Sequence, residues 1–280
     1  MTLYPLETGL FKLDGGAMFG VVPKSLWQKL NPADENNMCS WAMRCLLVED
    51  GNQLILIDTG MGDKQDAKFF GHYYRHGEGN LLGSLARAGF SSADVTDVLL
   101  THLHFDHCGG AVRYGTDGSL ELTFPKAIYW SNEAHWDWAT HPNAREKASF
   151  LKENIEPIIA SGQLAFWPVG GKSPFENLDV WLVDGHTEKM MLPKIIYQNK
   201  TLVYLADLIP SAAHVPLPYV MGYDVRPLLT MEEKTSLLNE AADGDYLLLF
   251  EHDPLLECAT VRHTEKGVRI AHAGKLTELL

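Results

Sequence analysis

Positive charge is scarce in this sequence. Its 280 residues include 23 lysines and arginines against 36 aspartates and glutamates, which gives a formal net charge of −13. Proteins that bind nucleic acids concentrate Lys and Arg on one face to neutralise phosphates, and the sequence contains no such cluster. We therefore expect a small-molecule substrate and no nucleic-acid partner.

Long apolar runs, a secretory leader and paired cysteines are also lacking. The longest apolar runs, such as residues 246–250, are far shorter than the ~20 residues that cross a bilayer. The N-terminus has no basic segment followed by a continuous apolar stretch. Its four cysteines form no CxxC pair and are too sparse for a disulfide framework. These absences predict a cytoplasmic protein with reduced thiols and no membrane partner.

Strand and helix patterns alternate along the whole chain. Strands are predicted at residues 3–13, 41–48, 54–57, 95–100, 127–130, 180–183, 194–197, 202–205 and 246–250, with two short strands after them. Helices are predicted at residues 81–88, 132–139, 144–159 and 231–242, the last one with a capping box formed by Thr230 and Glu233. No linker or repeat divides the chain, so we predict a single α/β domain over residues 1–280.

A dense group of metal-binding side chains follows the strand predicted at residues 95–100. The segment THLHFDHCGG places His102, His104, Asp106 and His107 within six residues. Residues two apart on an extended chain point to the same side, so His102 and His104 can converge on one ion while the turn redirects the other two. Imidazole nitrogens and carboxylate oxygens are typical zinc ligands. This density favours a metal site over a polar surface loop.

The motif resembles the H-x-H-x-D-H signature of the metallo-β-lactamase superfamily. Further segments match that family in the same order along the chain: Ile57-Asp58-Thr59-Gly60, Asp184-Gly185-His186-Thr187, Ala206-Asp207 and Glu251-His252-Asp253. The resemblance implies an αββα sandwich in which helices flank two mixed β-sheets. It also implies a metal-dependent hydrolase that uses a metal-bridging hydroxide.

The resemblance assigns each candidate ligand to one of two divalent ions. One ion would be held by His102, His104 and His186, and the other by Asp106, His107 and His252, with Asp207 as the bridge between them. We expect Zn²⁺, with Mn²⁺ and Fe²⁺ as alternatives. Asp106 is the expected proton shuttle, and Asp58 the expected group that orients the ligands.

Two other segments bear on the substrate. Residues 15–27 and 207–214 resemble the branch of N-acyl homoserine lactonases and methyl parathion hydrolase-like enzymes, which implies small esters, lactones or phosphotriesters. Many lactonases have a tyrosine three residues after the bridging aspartate, where this chain has Pro210. His214, Tyr219 and Tyr223 are candidates to replace it or are packing residues. The apolar residues at 18–27 are either a flap over the metals or part of the core.

Three alternatives remain at this point. The first is a glyoxalase II-like thioesterase, which shares the ligand set but acts on anionic thioesters that favour basic residues. The second is a mononuclear iron persulfide dioxygenase, and the third is a metal-stabilised binding protein without turnover. The number of bound metals separates the first two. The sequence leaves the oligomeric state open, with a homo-oligomer among the alternatives.

Overall fold

The computed structural model describes residues 1–280 and contains fourteen strands and nine helices. The strands are β1 (Thr2–Asp14), β2 (Met38–Asp50), β3 (Gln53–Ile57), β4 (Asp97–Leu99), β5 (Val112–Tyr114), β6 (Leu120–Leu122), β7 (Ile128–Ser131), β8 (Leu164–Phe166), β9 (Leu178–Val183), β10 (Met190–Tyr197), β11 (Lys200–Tyr204), β12 (Leu247–Leu249), β13 (Cys258–Arg262) and β14 (Arg269–Gly274). The helices are α1 (Gly15–Phe19), α2 (Lys24–Trp27), α3 (Ala67–Tyr73), α4 (Leu81–Arg87), α5 (Phe105–Cys108), α6 (Glu133–Thr140), α7 (Lys152–Ala160), α8 (Pro227–Asp243) and α9 (Leu276–Leu279).

The chain divides into two compact units. The first unit comprises residues 1–9 and 43–174, and the second comprises residues 10–42 and 175–280. The boundaries near the N-terminus fall inside β1 and β2, so each of these strands has residues in both units. The single domain expected over residues 1–280 stays a prediction.

The main sheet of the first unit has the strand order β1-β2-β3-β4-β7-β8. The strands β3, β4, β7 and β8 are parallel, whereas β2 pairs with β3 in the antiparallel sense. Fully buried apolar side chains from these strands, such as Leu56, Val98 and Tyr129, form the core of the unit. Because parallel strands end at the same edge of a sheet, the segments after β3, β4 and β7 lie at one edge.

The sheet of the second unit has the order β14-β13-β12-β11-β10-β9. It is also mixed, since β11 and β12 are parallel and all other neighbours are antiparallel. The strands β9, β11 and β12 therefore run in one direction and end at the same edge. Helix α8 contributes Leu237, Leu238 and Ala241 to the buried core.

Two local predictions are wrong. The helix predicted over residues 144–159 is limited to α7, and residues 144–149 form turns. The reason is that this segment supports the loop after β4: the Phe105 N–H donates to the Ser149 carbonyl at 3.0 Å, and Glu146 is buried. The capping box is also absent, because α8 begins at Pro227 and Glu233 accepts from backbone N–H groups elsewhere.

The apolar segment at residues 18–27 supplies core residues. Phe19 and Trp27 are fully or almost fully buried, and their rings stack with centroids 5.3 Å apart. Val21 is 93% exposed, so the segment also leaves one apolar side chain in water. None of the nine helices is long and apolar enough to cross a membrane. The cytoplasmic location stays a prediction.

Candidate metal centre

The loop that follows β4 gathers the four candidate ligands of the first unit. His102, His104, Asp106 and His107 are each at most 8% exposed. Helix α5 begins directly after His104, and the His107 N–H donates to the His104 carbonyl at 3.1 Å. This turn returns the chain, so that the rings of His102 and His107 have centroids 3.9 Å apart. The sequence motif therefore forms one buried cluster within the first unit.

Asp58, at the end of β3, orients this loop. Its carboxylate accepts hydrogen bonds from the Thr101 N–H at 2.8 Å and from the Thr101 hydroxyl at 2.7 Å. The same carboxylate lies 3.1 Å from Nδ1 of His107. A hydrogen bond from Nδ1–H fixes the tautomer in which Nε2 of His107 carries the lone pair that a metal binds, which is the usual role of a carboxylate behind a histidine ligand. Asp58 has the position expected of an orienting acid.

The two residues after Asp58 hold the other end of the loop. The backbone N–H and the hydroxyl of Thr59 both donate to the His107 carbonyl, at 2.7 and 2.9 Å. A side chain on Gly109 or Gly110 would place its Cβ about 2.1 or 2.2 Å from the backbone oxygen of Met61 or Thr59. Only glycine allows this close approach. The Asp-Thr-Gly segment thus clamps the ligand loop through its backbone.

His102 and His104 face each other across a short gap. Nε2 of His102 lies 3.1 Å from Nδ1 of His104. Because the Thr101 hydroxyl donates to Asp58, its oxygen is left to accept from Nδ1–H of His102, which lies 3.0 Å away. Nε2 of His104 is 3.4 Å from a carboxylate oxygen of Glu146. With a proton on Nε2 of His104, the facing nitrogens of both rings would carry lone pairs, an arrangement that suits a shared cation.

The separation of these nitrogens also fits a metal ion. Two imidazole nitrogens at about 2.0–2.1 Å from a tetrahedral zinc lie about 3.3 Å apart. The observed gap between His102 and His104 is 3.1 Å. Buried imidazoles and carboxylates form a donor set that suits Zn²⁺, Mn²⁺ or Fe²⁺. The chain therefore carries buried His/Asp groups that could hold a metal ion.

In the second unit, the candidate ligands His186 and His252 lie close to the third candidate ligand, Asp207, which follows β11. One carboxylate oxygen of Asp207 lies 3.1 Å from Nε2 of His186, and the other lies 2.9 Å from Nε2 of His252. All three residues are at most 7% exposed. The parallel pairing of β11 with β12 explains why Asp207 and His252 meet, because each comes three residues after the end of its strand. A single carboxylate thus faces two imidazoles.

The outer nitrogens of both imidazoles have acceptors. Nδ1 of His186 lies 3.0 Å from Asp224, and Nδ1 of His252 lies 2.7 Å from the carbonyl of Ala42. Burial lowers the pKa of His186, but the negative charges of Asp207 and Asp224 outweigh it and raise that pKa to about 10. Two buried carboxylates beside one imidazole demand a positive charge, which a proton or a metal ion supplies.

Asp106 is the one carboxylate among the four candidate ligands of its loop. Its carboxylate is 3.9 Å from Nε2 of His107. Burial and the Asp106 charge raise the pKa of the Tyr73 phenol to about 12, so that hydroxyl remains protonated. The Tyr73 ring packs on Phe105 with centroids 4.6 Å apart. Asp106 therefore lies near Tyr73.

Sequence reasoning missed three groups that orient the candidate ligands. Thr101 and Glu146 support the first unit, and Asp224 supports His186 in the second. Thr101 directly precedes the motif, so its position in the sequence could have indicated a contact with the ligands. Glu146 and Asp224 lie in irregular segments far along the chain from the histidines they contact, and no sequence spacing indicates these contacts.

The three residues considered as replacements for the lactonase tyrosine differ in packing and exposure. His214 is a packing residue: its ring stacks on Phe19 at 4.5 Å, and its nitrogens contact the Ser211 hydroxyl and the Met18 carbonyl. Burial lowers the pKa of His214 to about 3, which keeps the imidazole neutral. Tyr219 packs edge-on against Phe19, and Tyr223 is 40% exposed.

Comparison with known sequences places this site in context. The family model of the metallo-beta-lactamase superfamily matches residues 44–252. A probable metallo-hydrolase of Mycobacterium tuberculosis is 28% identical over 282 aligned positions, which cover 85% of this chain and 85% of that protein. An N-acyl homoserine lactonase of Bacillus cereus is 31% identical over 158 positions, 52% of this chain and 59% of the lactonase. A transcription termination factor of Methanocaldococcus jannaschii is 34% identical over 84 positions, 29% of this chain and 11% of that factor.

Solved structures extend the similarity to nearly the whole chain. A probable metal-dependent hydrolase from Staphylococcus aureus matches with a TM-score of 0.88 and 27% identity, over 98% of this chain and 96% of that one. A dizinc quorum-quenching lactonase in complex with its product matches with a TM-score of 0.79 and 24% identity, over 98% and 95% of the two chains. These matches confirm the predicted fold class, with mixed sheets flanked by helices.

Proposed function

Because the chain belongs to the metallo-β-lactamase superfamily and is a metal-dependent hydrolase, we propose that it is a dinuclear zinc enzyme that hydrolyses small esters, lactones or phosphotriesters. The observation that carries the proposal is the carboxylate of Asp207. Its two oxygens face Nε2 of two different histidines, at 3.1 and 2.9 Å. A carboxylate shared in this way suits a bridge between two ions better than a ligand of one ion.

The proposed ligand sets follow the family pattern. In that pattern, one ion would be held by His102, His104 and His186, and the other by Asp106, His107 and His252. Asp207 would be a ligand of both. Three protein ligands and a bridge leave coordination positions for water and substrate, as catalytic sites require.

The chemistry is divided between the ions and the protein. When bound, two divalent ions polarise the substrate oxygen and lower the pKa of a bound water toward neutrality. Asp58 and Asp224 hold His107 and His186 in the tautomers that present Nε2. Asp106 would accept a proton from the attacking water and deliver it to the leaving group.

The substrate class is proposed from charge and similarity. Glutathione thioesters are anionic and favour basic residues at the binding site, whereas the chain has 23 lysines and arginines against 36 aspartates and glutamates. The relative from Bacillus cereus is named an N-acyl homoserine lactonase, and one structural neighbour is a dizinc lactonase with N-hexanoyl-L-homoserine as its product. An uncharged ester or lactone of a small molecule agrees with these observations.

One experiment tests the metal number and the reaction together. Protein purified without added metal is analysed for bound elements and assayed against an ester, a lactone, a thioester and a phosphotriester. We expect two ions per chain, mainly zinc, with hydrolysis of the uncharged esters or lactones. Glu121→Gln, which removes an exposed carboxylate that pairs with Arg113, is the control and should keep both ions. One iron per chain with oxygen consumption would exclude the proposal in favour of a dioxygenase.

A further inference from the structure

The second unit contains a large apolar cavity outside the candidate ligand set. Its volume is about 640 Å³, within the range of about 300–1,000 Å³ that small-molecule sites occupy. The walls are mainly aliphatic, with Leu30, Val215, Leu256 and Ile270 among them, and none of the seven proposed metal ligands lines the cavity. Leu255, which is 83% exposed, lies at the cavity as well. The cavity therefore offers an apolar surface that the apolar part of a ligand can cover.

Two charged side chains, Asp253 and Arg269, line the cavity, and both carboxylate oxygens of Asp253 already accept hydrogen bonds. The carboxylate of Asp253 accepts from the N–H of Ala212 at 3.0 Å with one oxygen. Its other oxygen accepts from the N–H groups of Leu255 and Leu256, at 2.9 and 2.8 Å. Asp253 is 6% exposed. Three backbone N–H donors thus compensate the negative charge of Asp253. These hydrogen bonds also fix the loop that forms one wall of the cavity.

The second charged residue, Arg269, has no acidic partner. Its Nη1 donates to the carbonyl of the neighbouring residue Val268 at 2.7 Å, and it forms no ion pair. Arg262 is the cross-strand partner of Arg269 in the β13–β14 ladder, so two guanidinium groups share one face of the sheet. Like charges at directly opposed positions of a ladder destabilise it. Arg269 therefore brings to the cavity a positive charge that no acidic side chain pairs with, and Asp253 is the other charged residue of the lining.

We propose that this cavity binds an aliphatic monocarboxylate of medium chain length, with its carboxylate on Arg269 and its chain along the aliphatic walls. A guanidinium presents parallel N–H donors that match a carboxylate, which makes a carboxylate head group a better fit than a neutral one. The remaining lining offers few polar groups to a second charge. The site is distinct from the metal ligands, so the proposal does not depend on the reaction catalysed.

Isothermal titration with hexanoate, octanoate and decanoate tests the site on the metal-loaded protein. We expect affinity to rise with chain length, by at most about fourfold per methylene. Decanol should bind at least tenfold more weakly than decanoate. Arg269→Gln should weaken decanoate at least tenfold, whereas the matched variant Arg262→Gln, which removes the neighbouring charge outside the cavity, should change the affinity less than threefold.

Two further variants distinguish binding in this cavity from binding elsewhere on the protein. Ala213→Trp should fill the cavity and abolish decanoate binding, while its melting temperature and circular dichroism show that it is folded. His107→Ala lies in the first unit and should leave the affinity unchanged. The proposal is overturned if decanoate does not bind, if Arg269→Gln binds as the parent does, or if His107→Ala loses binding, which would place the carboxylate on the metals. A change of oligomeric state in Ala213→Trp, without any decanoate binding to the parent, would identify the cavity as an interface between copies.

Discussion

The two units contribute candidate metal ligands in opposite ways. In the first unit, four ligands lie within residues 102–107, in one loop after one strand. In the second unit, three ligands are spread over residues 186–252 and follow three different strands. The first set depends on local backbone geometry, whereas the second depends on the pairing of β11 with β12 and on the direction of β9. Local sequence therefore specifies one set, and sheet topology specifies the other.

The orienting groups show the same contrast. In the first unit, Asp58 and Thr101 hold the ligand loop by four hydrogen bonds or close contacts that involve only the ends of β3 and β4 and the loop itself, which includes α5. In the second unit, Asp224 lies in an irregular segment before α8, and the backbone carbonyl of Ala42 belongs to β2. A change in the second unit should therefore disturb more distant parts of the chain. This difference can be tested by substitutions of matched type.

The largest effect is expected from Asp207→Ala. This change removes the carboxylate that faces both His186 and His252, so it should impair the retention of both proposed ions. We expect at least a hundredfold loss of turnover, on the order of 3 kcal/mol of transition-state stabilisation. Steady-state kinetics and elemental analysis provide the measurements.

The control for this variant is Asp179→Ala, which removes an exposed carboxylate from β9 of the same unit. It should keep both the rate and the metal content. Thermal melting of both variants separates loss of the site from loss of the fold. If folded, metal-loaded Asp207→Ala retained a rate within about tenfold of the parent, a difference of ~1.4 kcal/mol, the bridging role would be wrong.

The next largest effect is expected from replacing either of two histidines of the ligand loop, His102 or His107. His107→Ala should preferentially empty one proposed site and His102→Ala the other, so each variant should retain about one ion per chain after saturation and desalting. His135→Gln is the matched control, because His135 is buried near His102 but accepts from the Leu103 N–H at 2.9 Å. It should retain two ions. Loss of both ions from either alanine variant would show that the two sites do not fill independently.

A smaller effect is expected from the orienting acids. Asp58→Asn and Asp224→Asn each replace an acceptor behind a histidine with a group that also donates, and each should weaken metal binding by about 10–100-fold. Asp58 accepts two hydrogen bonds from Thr101 as well as facing His107, whereas Asp224 accepts one, from the Met221 N–H, as well as facing His186. Asp58→Asn should therefore also lower the free energy of unfolding by about 1–3 kcal/mol, more than Asp224→Asn does. Metal titration and urea unfolding measure the two quantities. Equal stability losses for both variants would contradict the contrast between the units.

The sequence allowed much of the fold to be predicted, because the relevant signals are local. Most predicted strands correspond to observed ones, since alternating or continuous apolar residues mark β2, β3, β10 and β12 directly. The metal loop was also recognisable, as a run of ligand types after an apolar strand. The family resemblance then supplied the superfamily and fold class, which the comparisons confirm.

The failures arise where tertiary contacts override local propensity. Residues 144–149 have a helical pattern, yet Glu146 is buried beside His104 and Trp138 instead of extending α7. Glu233 has the spacing of a capping box, yet it accepts from the N–H groups of Asp184 and Gly185 and so fixes the segment before His186. Both acids support the candidate site. The sequence pattern contains no sign of these partners, because they are distant along the chain.

The smallest effect is expected from His214, which contrasts with the candidate ligand His186 in the same unit. Burial lowers the pKa of His214 to about 3, whereas the ordinary value for histidine is about 6.5. Between these values the unfolded chain binds a proton that the folded chain does not, so stability falls as the pH decreases from 6.5, by at most about 1.4 kcal/mol per pH unit. His214→Gln removes this titration, and its unfolding free energy should fall less steeply between pH 6.5 and 5. Urea unfolding at several pH values measures the slopes, with the exposed His141→Gln as the control for loss of one imidazole. Parallel profiles for His214→Gln and the parent would show that His214 does not remain neutral in the folded protein.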